Sequence, residues 1–204
     1  MLETSARRLG TLVLATVLMA AGCSEEESAA PEPEPTPLAS LNTTAMEIPR
    51  IEFCPLVPDS AVEQALGGKP DSDASYGNGD EVDVPGEGEE VVHELGCSWS
   101  TDEGAAARAW IFARPVDAGF ARKAIVSSRR TEGCTVERRP AYGDPSVTQT
   151  CRLPDGATRV RHAGLFGQTW LSCEVADPGA EVAAVRERAD RWCVDVVGAL
   201  DTGG

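Results

Sequence analysis

Histidine is nearly absent, at two residues in 204, and aromatic side chains make up only 5% of the chain. An imidazole-activated hydrolase needs a nucleophile, a base and an orienting group in contact. The only imidazoles are His93 and His162, and no G-x-S-x-G elbow accompanies them. Each histidine reads as an exposed or structurally satisfied side chain rather than a catalytic base, and His162 as one alternating with outward residues on a strand. No two cysteines form a C-x-x-C, so the signatures of a redox-active dithiol and of a zinc ribbon are missing. Basic residues are few as well: 18 Lys and Arg face 33 Asp and Glu, for a formal charge of −15 at pH 7. That field repels polyanions, which excludes nucleic acid as a partner through overall charge, and it favours solubility. Carboxylates are abundant, but most stand in low-complexity sequence that holds no fixed geometry. A carboxylate-dependent envelope enzyme is therefore the third of the functional readings. No cofactor and no metal is expected.

What is present begins at the N-terminus. Arg7 and Arg8 precede the apolar run Leu9 to Ala21, which ends in Gly22 and Cys23. A positive start, an apolar stretch too short to span a membrane comfortably and small residues at its end are the parts of a signal peptide, assigned to residues 1–22. The segment "LMAAGCS" resembles the lipobox of bacterial lipoproteins. The resemblance implies cleavage before Cys23, a diacylglycerol on its thiol, and anchoring on the extracytoplasmic face of the cytoplasmic membrane. Two acyl chains suffice for stable anchoring where one does not. Residues 23–50, with "PEPEPTP" near the start, read as an acidic, proline-rich, disordered linker favouring polyproline II. The sequon at Asn42 reads as chance.

Six cysteines remain: Cys54, Cys97, Cys134, Cys151, Cys173 and Cys193. In an exported chain they are disulfide candidates. Six cysteines allow fifteen connectivities, and sequence does not choose among them. Separation along the chain suggests Cys134 with Cys151 across a hairpin, Cys173 with Cys193, and Cys54 with Cys97. A single extracytoplasmic domain is assigned to residues 51–201. "PDSAVEQALGG" reads as a helix capped by Ser60 and Glu63. Two strands follow, "HELGCSWS" and "ARAWIFARP", then a helix with Phe120, Ala124 and Ser127 or Ser128 along one stripe. Three more strands lead to a C-terminal helix with Val182, Val185, Ala189, Trp192, Val196 and Leu200 on one face. The expected class is α+β, a two-layer domain in which helices pack a mainly antiparallel sheet stapled by disulfides.

The pattern "CPLVPDSAVEQALG", then "CSW" on a strand and a late cysteine in the last helix, resembles actinobacterial lipoproteins whose cysteine-rich domain has no assigned function. The resemblance implies fold and compartment rather than an activity. Residues 71–92 read as a flexible acidic loop. Asp71, Asp73 and Ser75 begin like a calcium loop, but Tyr76 and Val82 break the pattern. From Asp71 to Glu103 there are eleven acids and no Lys or Arg, whereas Ala105 to Leu165 holds eleven Lys and Arg. Arg122, Lys123, Arg129, Arg130, Arg138 and Arg139 are thus a candidate face for an anionic envelope polymer, a lipid or a membrane protein. The same arginines also read as neutralising the acidic loop or covering a solvated face. The first functional expectation is a lipid-anchored, non-enzymatic binding or sensor domain. The alternative is a carrier or chaperone for an apolar lipid or glycolipid, with Trp110, Phe112, Phe166 and Trp170 as cavity lining or core.

Overall fold

The computed structural model describes residues 36–43, 45–84, 88–137 and 142–201, with backbone alone at 83 and 84. The signal peptide, Cys23, the first part of the linker, Arg138 and Arg139 lie outside the described residues. The fold is an antiparallel seven-stranded sheet in the order β1-β4-β5-β9-β8-β7-β6. Its strands are β1 (Ser72–Tyr76), β4 (Glu94–Ser100), β5 (Ala106–Phe112), β6 (Cys134–Glu137), β7 (Ser146–Arg152), β8 (Thr158–Phe166) and β9 (Thr169–Asp177). A separate two-stranded hairpin pairs β2 (Glu81–Val84) with β3 (Gly88–Val91). Three helices pack on the main sheet: α1 (Asp59–Leu66), α2 (Ala118–Ser128) and α3 (Val182–Leu200). The class is α+β, as the pattern of elements predicts.

Strand alternation separates two apolar clusters. Val160, Phe166, Leu171, Cys173 and Val175 join α1 and α3 on one face. Ala163, Leu165, Trp170 and Val147 meet Ala121 of α2 on the other. The α3 stripe is Val185, Ala189, Trp192, Cys193, Val196, Val197 and Leu200, all buried. Trp192 packs edge-to-face on Trp99, with ring centroids 5.4 Å apart, and donates its indole N–H to the Arg108 carbonyl at 3.0 Å. Arg188 donates to Asp177 at 2.5 Å and to the Leu66 carbonyl at 3.0 Å, tying α3 to β9 and to the end of α1.

The disulfides join Cys54 to Cys97, Cys134 to Cys151 and Cys173 to Cys193. Cys134 and Cys151 are direct cross-strand partners in β6 and β7. The Cys173–Cys193 bridge fastens α3 to a central strand, and Cys54–Cys97 fastens the turn before α1 to β4.

Several local expectations change. Helix α1 begins at Asp59 because the Pro58 carbonyl already accepts from Ala61 and Val62. Ser60 therefore lies inside the first turn, and no side chain caps the helix. In α2 the buried position is Ala121, while Phe120 turns outward against Phe112. A small residue at the contact lets the helix lie close to β7 and β8. The segment 71–92 is not one loop: it supplies edge strand β1, paired with β4, and the β2–β3 hairpin. Residues 36–50 are not linker throughout. Leu38 and Ile48 enter the core, with Leu41 and Met46 packed beside them, and Thr169 donates to the Ile48 carbonyl at 2.7 Å. These apolar residues lie beyond the proline-rich run and supply the burial that it lacks. Among the described residues, no helix is long and apolar enough to cross a membrane.

Candidate functional site

Helix α2 covers Val147, Ala163, Leu165 and Trp170 of β7, β8 and β9 on its sheet face. The rest of that face carries a groove and, across β5, β9 and β8, a row of charge. The groove has a volume of about 850 Å³ and lies among the hairpin, the sheet and the start of α2. Val82, Val91, Phe112, Val116 and Phe120 give it apolar walls, while His93, Glu94 and Arg114 add polar groups. The Asp117 side chain accepts the Phe120 N–H at 2.7 Å, capping α2 and setting Phe120 at the groove. Phe120 remains 49% exposed, although its ring meets Phe112 edge-to-face with centroids 5.8 Å apart. A volume of this size falls in the range of ordinary small-molecule sites.

Beyond the groove, paired residues form rungs across the sheet, successive rungs on one face lying about 7 Å apart. Glu94 and Phe112 make the first, at the groove itself. Tyr76, Gly96, Trp110 and Ser172 make the second. Ser98, Arg108, Glu174 and Arg161 make the third. Position 96 demands glycine on steric grounds. A Cβ there would meet the Tyr76 ring at 2.1 Å, so the ring lies across the backbone where any other side chain would stand. Burial, reinforced by the Glu94 charge and opposed by Arg108, pushes the Tyr76 hydroxyl up to about 12. Burial also raises the Glu94 carboxyl above its ordinary value, with Arg161 pulling the other way.

Glu174 is 3% exposed and lies among three guanidinium groups. Arg161 Nε donates to it at 2.7 Å, Arg159 Nε stands 3.6 Å away and Arg108 Nη1 3.7 Å away. The Arg161 guanidinium also covers the Trp110 ring, 4.8 Å from its centroid. Burial lowers the Arg159 guanidinium from its usual value, and the Glu174 charge opposes this.

These contacts make Gly96→Ala a direct test of the ring's seat. The new methyl drives the Tyr76 ring off the sheet, and its hydroxyl is expected to titrate near the ordinary 10 rather than about 12. Ultraviolet titration reads this cleanly, because the only other tyrosine, Tyr142, is fully buried and held well above 10. An unchanged curve would show that Gly96 does not hold the ring in place.

The residues singled out from the sequence are distributed differently. His93 is exposed at the groove, whereas His162 is 0% exposed, a buried histidine with a neighbour at each ring nitrogen that alternates with Arg161 and Ala163 on the other face. It lies on the α3 face, with Thr148 Oγ1 2.9 Å from Nδ1 and Asp190 Oδ1 2.8 Å from Nε2. The order hydroxyl, imidazole, carboxylate mimics a nucleophile and its base, but Thr148 and His162 are both buried under α3 and face no solvent. The group joins β7, β8 and α3. Asp71 accepts the Asp102 N–H at 2.7 Å, and Asp73 and Ser75 lie on strand β1. Arg122, Lys123, Arg129 and Arg130 are exposed on α2 and just after it, and Arg122, Lys123 and Arg130 border a shallow depression with Val126. Of the four aromatics read as cavity lining or core, Phe112 lines the groove, Trp110 stands one rung away under the Arg161 guanidinium, Trp170 is buried under α2, and Phe166 is on the opposite face.

Tyr76, Arg108, Arg159, Arg161 and Glu174 were not singled out by sequence reasoning. Their signal is the R-x-R alternation of "TRVRHA" and the lone glutamate inside "WLSCEVA". A charge at a strand position otherwise flanked by apolar residues calls for partners on the neighbouring strands.

No protein-family model matches the chain, and no curated protein matches it. Among solved structures, the chain is similar to the extracellular domain of PknH from Mycobacterium tuberculosis. That similarity has a TM-score of 0.45 and 12% identity, over 75% of this chain and 96% of that one.

Proposed function

We propose that this chain is a non-enzymatic, extracytoplasmic binding domain tethered to a membrane through Cys23, and that the groove takes a ligand with an apolar body. The observation that carries the binding reading is the groove itself, about 850 Å³ between the β2–β3 hairpin and α2 with valine and phenylalanine walls. Three disulfides support an oxidising compartment. The carrier reading uses the same groove, which is apolar enough to shield an acyl chain, and differs only in whether the ligand is passed on. The basic residues of α2 then serve as a contact to anionic envelope material beside the groove.

Phe120→Asp tests the groove with little risk to the fold, since that side chain is half exposed. Its affinity for the neutral apolar dye Nile red, read by fluorescence titration, is expected to fall about tenfold or more. Unchanged affinity would remove the groove as the site. The tether is tested separately: Cys23→Ala is expected to lose lipid labelling and to leave the membrane fraction or stay uncleaved. Unchanged lipid labelling would overturn it.

A further inference from the structure

We infer that the arginine rung beside the groove seats the phosphate of an anionic phospholipid whose acyl chains occupy the groove; this rests on the binding reading above. The inference begins from local charge. On a chain of net charge −15, three guanidinium groups converge on the single carboxylate of Glu174. One carboxylate offsets one of them and leaves a local excess of positive charge that no other acid on the rung cancels.

The donors are also incompletely used. Arg159 Nε is buried without a hydrogen-bond partner. Arg108 is the most open of the three, with its side chain 56% exposed and its approach to Glu174 a loose 3.7 Å. Arg161 gives Nε to Glu174, while its planar group is held over Trp110. Arginine offers paired donors in a fixed fork suited to phosphate oxygens. Along β9 the positions flanking Glu174 on this face carry the small side chains of Ser172 and Ala176. The Arg108 guanidinium, open to solvent beside them, is the donor that a ligand oxyanion reaches first.

Position selects the source of that anion. The arginine rung stands two rungs from Phe112, roughly 14 Å along the strands, with Tyr76 and Trp110 between them. An amphiphile spans such a distance with its head on the arginines and its chain along the aromatic rung into the groove. A free inorganic anion would leave the apolar walls unused. Glu94, at the groove end and paired with Phe112, is the carboxylate of the first rung on this face.

The test uses the full chain in dodecyl maltoside micelles containing equal amounts of dimyristoylphosphatidylglycerol and dimyristoylglycerol. Native mass spectrometry reads both adducts in one spectrum. The phosphatidylglycerol adduct is expected to exceed the diacylglycerol adduct by about tenfold or more, the scale of a charge-assisted hydrogen bond. Arg108→Gln, chosen because that side chain is exposed, is expected to remove most of the preference while the diacylglycerol adduct persists. Equal adducts on the unaltered chain would overturn the phosphate seat and leave the groove standing. Adducts of neither lipid would overturn both. A preference untouched by Arg108→Gln would overturn the role of the rung. Displacement of phosphatidylglycerol by equimolar glycerol 3-phosphate would overturn the lipid source in favour of a soluble phosphate.

Discussion

Replacing Glu174 with alanine is expected to lower the stability of the fold by about 3–5 kcal/mol, the cost of breaking a buried ion pair by removing one partner. The carboxylate is almost wholly buried, and it is the counter-charge for three arginines. Arg161 and Arg159 carry most of the effect, because both are largely buried and both lie on β8 two residues apart. Without Glu174 they repel each other, with Arg159 Nε already short of a partner. Arg108 adds little, since water screens a half-exposed side chain. Glu174→Gln keeps the shape and one acceptor, so its loss falls between alanine and the native residue. Urea denaturation measures both variants. A cost below about 1 kcal/mol for alanine would mean that the arginines do not depend on this carboxylate. Added phosphate is expected to restore part of the loss if the rung accepts anions.

The second large effect is Trp192→Ala, also about 3–5 kcal/mol. The side chain is 1% exposed, meets Trp99 edge-to-face and donates to the Arg108 carbonyl. Its removal opens a cavity at the middle of the α3 contact and orphans a backbone acceptor under the arginine rung. The neighbouring Cys173–Cys193 bridge prevents the helix from leaving, so the loss appears as weakened packing rather than detachment. Trp192→Phe refills much of the volume and isolates the lost hydrogen bond, expected at about 1–3 kcal/mol. The measurement is the chemical denaturation midpoint, with near-ultraviolet circular dichroism reporting the Trp99 environment. An alanine variant within about 1 kcal/mol of the native chain would show that α3 repacks around the gap.

Elements with a strong apolar period were legible from the sequence. The α3 stripe appears in the structure nearly as the spacing places it, because burial alone decides a long amphipathic helix. The five strands read from alternation are present for the same reason. Strands β1 and β3 were hidden because their residues are almost all exposed, and β2 because it is only four residues long, so backbone pairing rather than an apolar stripe marks them. β6 is only Cys134–Glu137, and its pairing with β7 is non-local information. The outward turn of Phe120 illustrates a further limit: helical spacing identifies neighbours but not which of two adjacent stripes meets the sheet. Of the candidate site, His93 and two aromatics were in view, while the arginine rung needs three strands in register before it exists. Arg108, Arg161 and Glu174 lie far apart along the chain and share one rung only through the β5–β9–β8 order.

The strap, residues 36–43 and 45–50, is where the chain joins the domain. Its apolar residues pack on the α3 side, and the chain soon reaches Cys54, bridged to Cys97 within β4. A pull on the N-terminal end peels the strap first, lifting Leu38 and then Ile48 from the core. The load then stops at the covalent link and passes into a strand paired on both edges, β1 on one side and β5 on the other. The covalent link thus enters the sheet at the middle of β4, not at a free strand end. The groove and the arginine rung lie on the other face from the strap.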